Sequence, residues 1–389
     1  MTDKVRLGII GIGNQGSTYA RHIALENWCP EIELTAITDL NPDRIAWAKE
    51  NVSDKIAYFT DAIEMLDSGL INACVVSVPH YDHPKYVIEC MKRGIHVMCE
   101  KPAGVYTKQV REMNAEAEKH PEVVFGMMFN QRTNCLYRKM RELVQSGKYG
   151  RVRRANWLIT NWYRSQYYYD SGDWRATWSG EGGGVLLNQC PHQLDLWQWI
   201  CGMPSRIRAF MKYGVGRDIE VENDVTAYAE YPNGATGLFI TSTHETPGTN
   251  RLEISGDKGK IVVENDEITF WRNRVGEKEF NETYTGGFGN PECWKISVPV
   301  TGPNPQHIGI LNNFCSAVLH GTPLLAPGQE GIRGLSISNA MHLSYWTDSW
   351  VDPSNLDEDL YYDLLQEKIR QSDFVKKTSA VTLNTEGSY

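Results

Sequence analysis

The sequence predicts two domains, a parallel α/β domain at the N-terminal end and a strand-rich α+β domain behind it. Three observations predict this. A short apolar run at residues 5–10 passes directly into Gly11-Ile12-Gly13-Asn14-Gln15-Gly16. Strand-like and helix-like segments then alternate as far as Cys99. From residue 153 to residue 264 strand-like stretches follow one another, several parted by hairpin signals such as Pro232-Asn233-Gly234 and Gly256-Asp257-Lys258-Gly259. A chain of 389 residues can bury a large core, and that length favours two domains over one.

Composition narrows the class. A hydrophobic share of 41% with 22% charged residues is that of a folded globular enzyme and argues against disorder. The net charge of -9 and the lack of a basic run argue against a nucleic-acid partner. No apolar run reaches the ~18 residues of a bilayer span, so no membrane partner is expected. Met1 to Gly13 goes from a charged pair into the first strand and leaves no room for a signal peptide; the nine cysteines show no C-x-x-C pairing. Both features make a cytoplasmic protein with reduced thiols the expectation.

Each element of the first domain has a local cause. The run at 5–10 reads as a strand buried on both faces, bounded by glycine. The turn follows, then a helix over 15–26. Gly11 allows the tight turn, Gly13 lets the backbone approach a pyrophosphate, and Gly16 lets the helix pack closely on the strand. Asn14 and Gln15 lie at the helix start, where free N–H groups and the positive dipole end attract phosphate. The next strand, 32–38, ends in Asp39, roughly twenty residues past the turn, where an acid accepts the ribose hydroxyls of NAD. Asp39 repels a 2′-phosphate and favours NAD over NADP, a preference that Arg44 nearby would soften. Strands at 57–60, 73–78 and 96–99 and helices at 62–69 and 84–93 complete the alternation. Ligands of open parallel sheets bind beyond the carboxyl ends of the strands. Pro79, His80 and His83 after one strand, and Glu100 and Lys101 after another, therefore stand where a cofactor would lie.

With the glycine turn and Asp39, Glu100-Lys101-Pro102 after a strand, and Gly182-Gly183-Gly184 leading to Asn188, His192 and Asp195, the sequence resembles the Gfo/Idh/MocA oxidoreductase family. The segment 307–344 is similar to that family's closing helices, so the resemblance spans nearly the whole chain in order. It implies an α/β Rossmann domain over 1–125, followed over 126–389 by an α+β domain with an open, mainly antiparallel sheet used for substrate binding and for homo-oligomer (dimer or tetramer) contacts. The strand-like stretches 153–161, 207–213, 225–231, 235–242, 250–255 and 259–264 agree with this on their own terms. The resemblance also matches the family's reacting His to His192 and its Lys to Lys101, and implies that Trp174 and Arg175 reach the cofactor.

Oxidising a secondary alcohol needs a base for the hydroxyl proton and a group to polarise the oxygen. His192 suits the first role, because imidazole titrates near neutrality. The Lys101 ammonium suits the second, with Pro102 holding its backbone extended. The spacing of Asn188, His192 and Asp195 puts all three on one helical face, with Pro191 starting or kinking that helix. The family usually carries Asp where this chain has Asn188. Asn cannot take a proton at working pH, so Asn188 is expected to orient substrate. The loop 161–178 crowds aromatic rings around Arg164 and Arg175, suited to stacking on sugar C–H faces, with Tyr163 and Arg164 as expected substrate contacts and an interface or a packed surface loop as the bland alternative. The stretch Asn130-Gln131-Arg132 resembles the family's entry to the second domain, and the resemblance implies that Arg132 touches substrate.

No H-E-x-x-H or C-x-x-C spacing is present and no metal is expected. The functional expectation is an NAD-dependent dehydrogenase acting on a sugar, glycoside or cyclitol hydroxyl. The competing expectation is an NAD-dependent glycosidase or lyase working through a transient keto-sugar, with a non-catalytic NAD sensor ranked last because Lys101 and His192 are both present.

Overall fold

In the computed structural model, which describes residues 4–147 and 149–378, the first sheet is parallel throughout. Its elements are β1 (Val5–Ile10), α1 (Asn14–Ala24), β2 (Ile32–Thr38), α2 (Pro42–Asn51), β3 (Ala57–Phe59), α3 (Ala62–Asp67), β4 (Ala73–Val76), α4 (His83–Met91), β5 (His96–Cys99), α5 (Thr107–Lys119) and β6 (Phe125–Met127). Side chains cap the starts of α2 and α3: Asn41 accepts from the Asp43 amide at 2.9 Å, with Pro42 in the first turn, and Asp61 accepts from the Ile63 amide at 2.7 Å. β1 and β4 are buried on both faces, as the central strands of a parallel sheet must be. The strand order β3-β2-β1-β4-β5-β6 reverses direction between β1 and β4, and this switch point opens a crevice at the carboxyl ends. The boundary expected at residue 125 falls inside β6, which pairs with β5 as the sixth strand, so the first sheet ends at Met127.

The second sheet is built from β7 (Val152–Ile159), β8 (Arg206–Tyr213), β9 (Glu222–Glu230), β10 (Thr236–Ser242), β11 (Asn250–Gly256), β12 (Gly259–Glu264), β13 (Glu267–Asn273) and β14 (Cys293–Val298). Its order is β14-β13-β12-β11-β7-β10-β9-β8, antiparallel except for the pair β7 and β10. The last two strands lie beyond the sequence expectation: β13 does alternate, burying Ile268 and Phe270, whereas β14 is largely exposed and shows little of the alternation that marks a half-buried strand. α6 (Cys135–Gln145) leads into this sheet, α7 (Gln166–Asp170), α8 (Pro191–Cys201) and α9 (Glu277–Thr283) run between its strands, and α10 (Gln306–His320), α11 (Gly331–Trp346) and α12 (Glu358–Gln371) follow it. Trp197 of α8 packs its ring 5.3 Å from Phe239 of β10, and Phe239 meets Trp157 of β7 at 6.5 Å. Such pairs add about 0.5–1.5 kcal/mol each beyond their buried area and seat α8 on the sheet.

The C-terminal helices return to the first domain. On α10, the Asn312 side chain donates to the Trp28 carbonyl at 3.1 Å, and α11 packs between α8, β8 and α5. The acidic segment 357–367 lies at the start of α12, which packs on α11 and docks on α5 of the first domain through Lys108–Asp359 at 2.6 Å and Arg111–Glu358 at 2.7 Å.

One buried ion pair ties these parts together. Arg132, on the short turn after β6, gives Nε and Nη2 to the Asp195 carboxylate at 2.8 and 2.7 Å, and Nη1 to Glu330 at 2.6 Å and the Leu325 carbonyl at 3.0 Å. Arg132 and Asp195 are each 1% exposed. Removing one member strands the other charge in the interior. Arg132→Met is expected to cost about 3–5 kcal/mol of stability, read as a lowered denaturant midpoint at unchanged slope; a midpoint within error of the wild type would show that the pair is dispensable.

Candidate active site

The glycine turn leaves room on one side only. Gly11 sits at φ +85°, and a Cβ there would come within 2.4 Å of the Ser77 carbonyl oxygen; at Gly16 it would lie 2.0 Å from the Gly11 carbonyl oxygen. Both positions therefore exclude any side chain. A Cβ on Gly13 would meet nothing within 4 Å, so the backbone there faces open space. Gly13 caps α1 without a side-chain hydrogen bond, leaving the first-turn amides at Asn14 and Gln15 directed past the turn. Asp39, at the end of β2, accepts the Ile12 amide on one carboxylate oxygen and the Asn41 amide on the other, both at 2.8 Å. Each oxygen keeps a lone pair for a ribose hydroxyl. Arg44 folds back onto the Ile12 carbonyl, at 2.9 Å from Nε and 2.7 Å from Nη2, and burial pulls its pKa below the usual value.

Across the crevice the two domains bring their polar groups together. Lys101, just past β5, donates Nζ to the Asn188 carbonyl at 2.9 Å, and burial holds its ammonium below its ordinary pKa. His192, in the first turn of α8, has its pKa pushed well down by burial and by the nearby Lys101 and His307. Its Nδ1 is buried without a partner, as are His80 Nδ1 and Arg175 Nε. These unpaired polar atoms, the bare face of Gly13 and the Asp39 carboxylate fit a dinucleotide lying across the strand ends. His80 is buried beneath Trp174, ring centroids 5.2 Å apart edge to face, and Arg175 lies over both Trp174 and Tyr168. Pro79 stands exposed at the mouth. Arg164 lies 5.2 Å over the Tyr168 ring, close enough to Lys101 to influence its titration.

Several expected site residues are placed otherwise. Arg132 was expected against substrate; it is buried in its ion pairs and has no free face for a ligand. Tyr163 is also turned away. Residues 161–165 alternate between exposed and part-buried as an extended segment does, which points Tyr163 outward under Arg217 while Arg164 points in. Glu100 was expected to touch the cofactor. Its buried carboxylate is taken by the Tyr19 hydroxyl and, at 3.0 Å, by the Lys101 amide, so it anchors α1 to the lysine strand. His83 was placed in the same group, yet both its ring nitrogens meet backbone carbonyls, Pro102 at 2.6 Å and Val78 at 2.8 Å, stapling the two strand-end loops. Asn188 does not share a helical face with His192 and Asp195, because Pro191 starts α8 and Asn188 lies in the turn before it.

Other residues enter the site from distances no spacing announces. The Tyr168 hydroxyl donates to Asn188 Oδ1 at 3.2 Å and accepts from Arg175 at 3.1 Å and Gln189 at 3.0 Å. Glu181 is buried behind Asn188, accepting its side-chain amide and the Ala176 backbone amide. His307, at the start of α10, packs on Tyr19 and has its pKa pushed down to about 3 by burial and Lys101. Glu222 accepts the Gly184 amide at 2.8 Å and the Leu186 amide at 3.1 Å, so a buried carboxylate shapes the glycine triplet loop. Tyr168 lies in the aromatic loop already singled out in the sequence, and Glu181 had a local signal of its own, a carboxylate between glycines. Among the described residues, no group of three His, Cys, Asp or Glu side chains could hold a metal ion, and no helix is long and apolar enough to cross a membrane.

A family model described as "Oxidoreductase family, NAD-binding Rossmann fold" matches residues 5–127, and the GFO/IDH/MocA C-terminal domain model matches residues 137–262. The chain belongs to the GFO/IDH/MocA oxidoreductase family. Its first domain is the NAD-binding Rossmann fold of that family, and NAD is its cofactor. Among curated relatives, a myo-inositol 2-dehydrogenase of Thermotoga maritima is 27% identical over 86% of this chain and 95% of its own length. A levoglucosan dehydrogenase of Pseudarthrobacter phenanthrenivorans is 23% identical over 90% of this chain and 98% of its own. Among solved structures, the WlbA dehydrogenase of Chromobacterium violaceum in complex with NADH and UDP-GlcNAcA superposes with a TM-score of 0.76 at 26% identity, covering 90% of this chain and 97% of that one.

Removing the Asp39 carboxylate gives a direct test of the cofactor half. Asp39→Ala is expected to weaken NAD binding roughly ten- to a hundredfold, as loss of a charged hydrogen bond implies, and to raise NADP binding relative to NAD. Fluorescence titration with both nucleotides reads the two affinities; an unchanged NAD affinity would take Asp39 out of the site.

Proposed function

We propose that the chain is an NAD-dependent dehydrogenase that oxidises, or in reverse forms, a secondary hydroxyl of a sugar, glycoside or cyclitol. The observation that carries this reading is an imidazole and an ammonium facing one crevice from opposite domains, with burial and the nearby Lys101 ammonium keeping His192 in its neutral form. NAD, when bound, supplies the two-electron acceptor. His192 takes the hydroxyl proton as the C–H bond breaks and returns it in the reverse direction. Lys101, held by the Asn188 carbonyl, stabilises negative charge growing on the substrate oxygen. Arg164 and the Asn188 side chain orient the remaining hydroxyls, and the Tyr168 and Trp174 rings offer flat faces to ring C–H groups. The names of the inositol and levoglucosan relatives support a cyclic polyol of about pyranose size.

The reading extends to self-association as a homo-oligomer. β8 buries Ile207, Ala209 and Met211 on its helix-covered side and turns Phe210, 58% exposed, to the other. Light scattering is expected to give a dimer or tetramer that Phe210→Lys weakens; a wild-type monomer would contradict this part of the reading.

The cofactor-loaded protein is expected to reduce NAD, followed by NADH absorbance, with at least one member of a panel of inositols, hexoses and glycosides. His192→Asn is expected to lower kcat about 10²–10⁴-fold while NAD binding is kept. The base must be unprotonated, so activity falls as pH drops through the His192 pKa; since that pKa is held down, the acid limb of kcat/KM lies below about pH 6.5. No turnover across the panel overturns the dehydrogenase reading, and aglycone release without net NADH would assign the chain to redox-neutral glycoside cleavage.

A further inference from the structure

Glu181 has no part in the chemistry above, yet it lies at the centre of the site's hydrogen bonding. It is 2% exposed, one carboxylate oxygen takes the Ala176 amide at 2.6 Å, and the other takes the Asn188 side-chain amide. Asn188 then faces three ways: its Nδ2 to Glu181, its Oδ1 to the Tyr168 hydroxyl at 3.2 Å, and its backbone carbonyl to Lys101 Nζ at 2.9 Å. One residue thus bridges a buried carboxyl to the ammonium that faces substrate. We propose that Glu181 is a positioning residue which, through Asn188, fixes the lysine-holding turn and, together with Glu100, supplies negative charge to the Lys101 ammonium in the crevice. This inference rests on the dehydrogenase reading for its catalytic consequence, though not for its electrostatics.

The surroundings are consistent with that role. Glu181 is faced by Arg175 from its own loop, by Lys101 from the β5 end, and by Lys376 from the segment after α12. Glu222 of β9 and Tyr169 of α7 lie near it, and His80 meets its backbone. Burial pushes the carboxyl up to about 7, with Arg175 and the Asn188 amide opposing the shift. Above that pH it is an anion within reach of Lys101, whose proton affinity it raises. The other charges facing Lys101 are Glu100 beside it and Arg175 and Arg164 from the aromatic loop, with His80, His83, His192 and His307 around them. With the imidazoles neutral and both arginines repelling, the carboxylates are what sustain an ammonium under burial. Glu181 is the one of them joined to the substrate-facing side through Asn188.

The test measures Lys101 itself. The full-length protein loaded with NAD is labelled with trace acetic anhydride between about pH 6 and 11, and the Lys101 peptide is quantified by mass spectrometry. Glu181→Gln is expected to move the midpoint of Lys101 labelling down by roughly one unit or more. The double variant Glu181→Gln/Asn188→Asp, which exchanges carboxyl and amide across the same hydrogen bond, is expected to bring it back. If Glu181→Gln does not fold, Glu181→Asp, which draws the charge back by one methylene, is expected to lower the midpoint by a smaller step. A midpoint that stays at the wild-type value in the substituted proteins overturns the proposal, even if they melt earlier, since a merely structural carboxyl would cost stability without touching Lys101. With a substrate in hand, the alkaline limb of kcat/KM follows the same shifts. Failure of the whole polyol panel would sink the dehydrogenase reading while leaving the labelling series to decide on Glu181.

Discussion

Arg132 holds this molecule's site together from a place no ligand reaches. Its guanidinium follows the last strand of the first sheet, grips Asp195 one helical turn beyond His192, and reaches Glu330 just before α11. Two charges buried at 1% exposure tolerate little displacement, because any slip leaves one of them unpaired in a medium that cannot solvate it. The first turn of α8 is therefore registered against the β5 end, and with it His192 against Lys101. His83 and Glu100 serve the same end more locally, the one joining the loops after β4 and β5, the other joining α1 to the Lys101 backbone.

Around this frame the crevice is electrostatically uneven. Burial drives His80, His192 and His307 toward their neutral forms, and Lys101 and its neighbours push the same way. The imidazoles thus stay able to accept a proton, while positive charge concentrates on Lys101, Arg164 and Arg175. Only buried carboxylates offset it, and each is already committed to hydrogen bonds within the protein. Such an arrangement suits a reaction that develops negative charge on an oxygen and releases one proton.

Much of the first domain was legible because its signals are local. Strand, glycine turn, helix and terminal acid lie within one short stretch, and each residue type answers to a constraint of its immediate neighbours: Gly11 and Gly16 to backbone crowding, Asp39 to the strand end. Lys101 and His192 were legible through their position in ordered motifs. The errors came where a local rule met tertiary packing. Arg132 looked like a ligand group through the family resemblance of residues 130–132, and only the fold shows two carboxylates closing on it. Tyr163 and Arg164 look interchangeable in sequence, and an extended backbone sends one outward and the other inward.

Residue type and spacing along a few turns of chain were enough to put a dinucleotide-binding sheet first, Lys101 at its carboxyl ends and a histidine after the glycine triplet. What surrounds them was set by packing between distant parts of the chain. His307 arrives from α10, Glu181 turns inward from its glycine-flanked loop, and Asn188 leaves the helix because Pro191 begins it. Contacts between residues far apart in the chain are set by how two sheets and their helices close on one another. No local periodicity encodes that closure, so the proton affinities that depend on it become readable only once the crevice is formed.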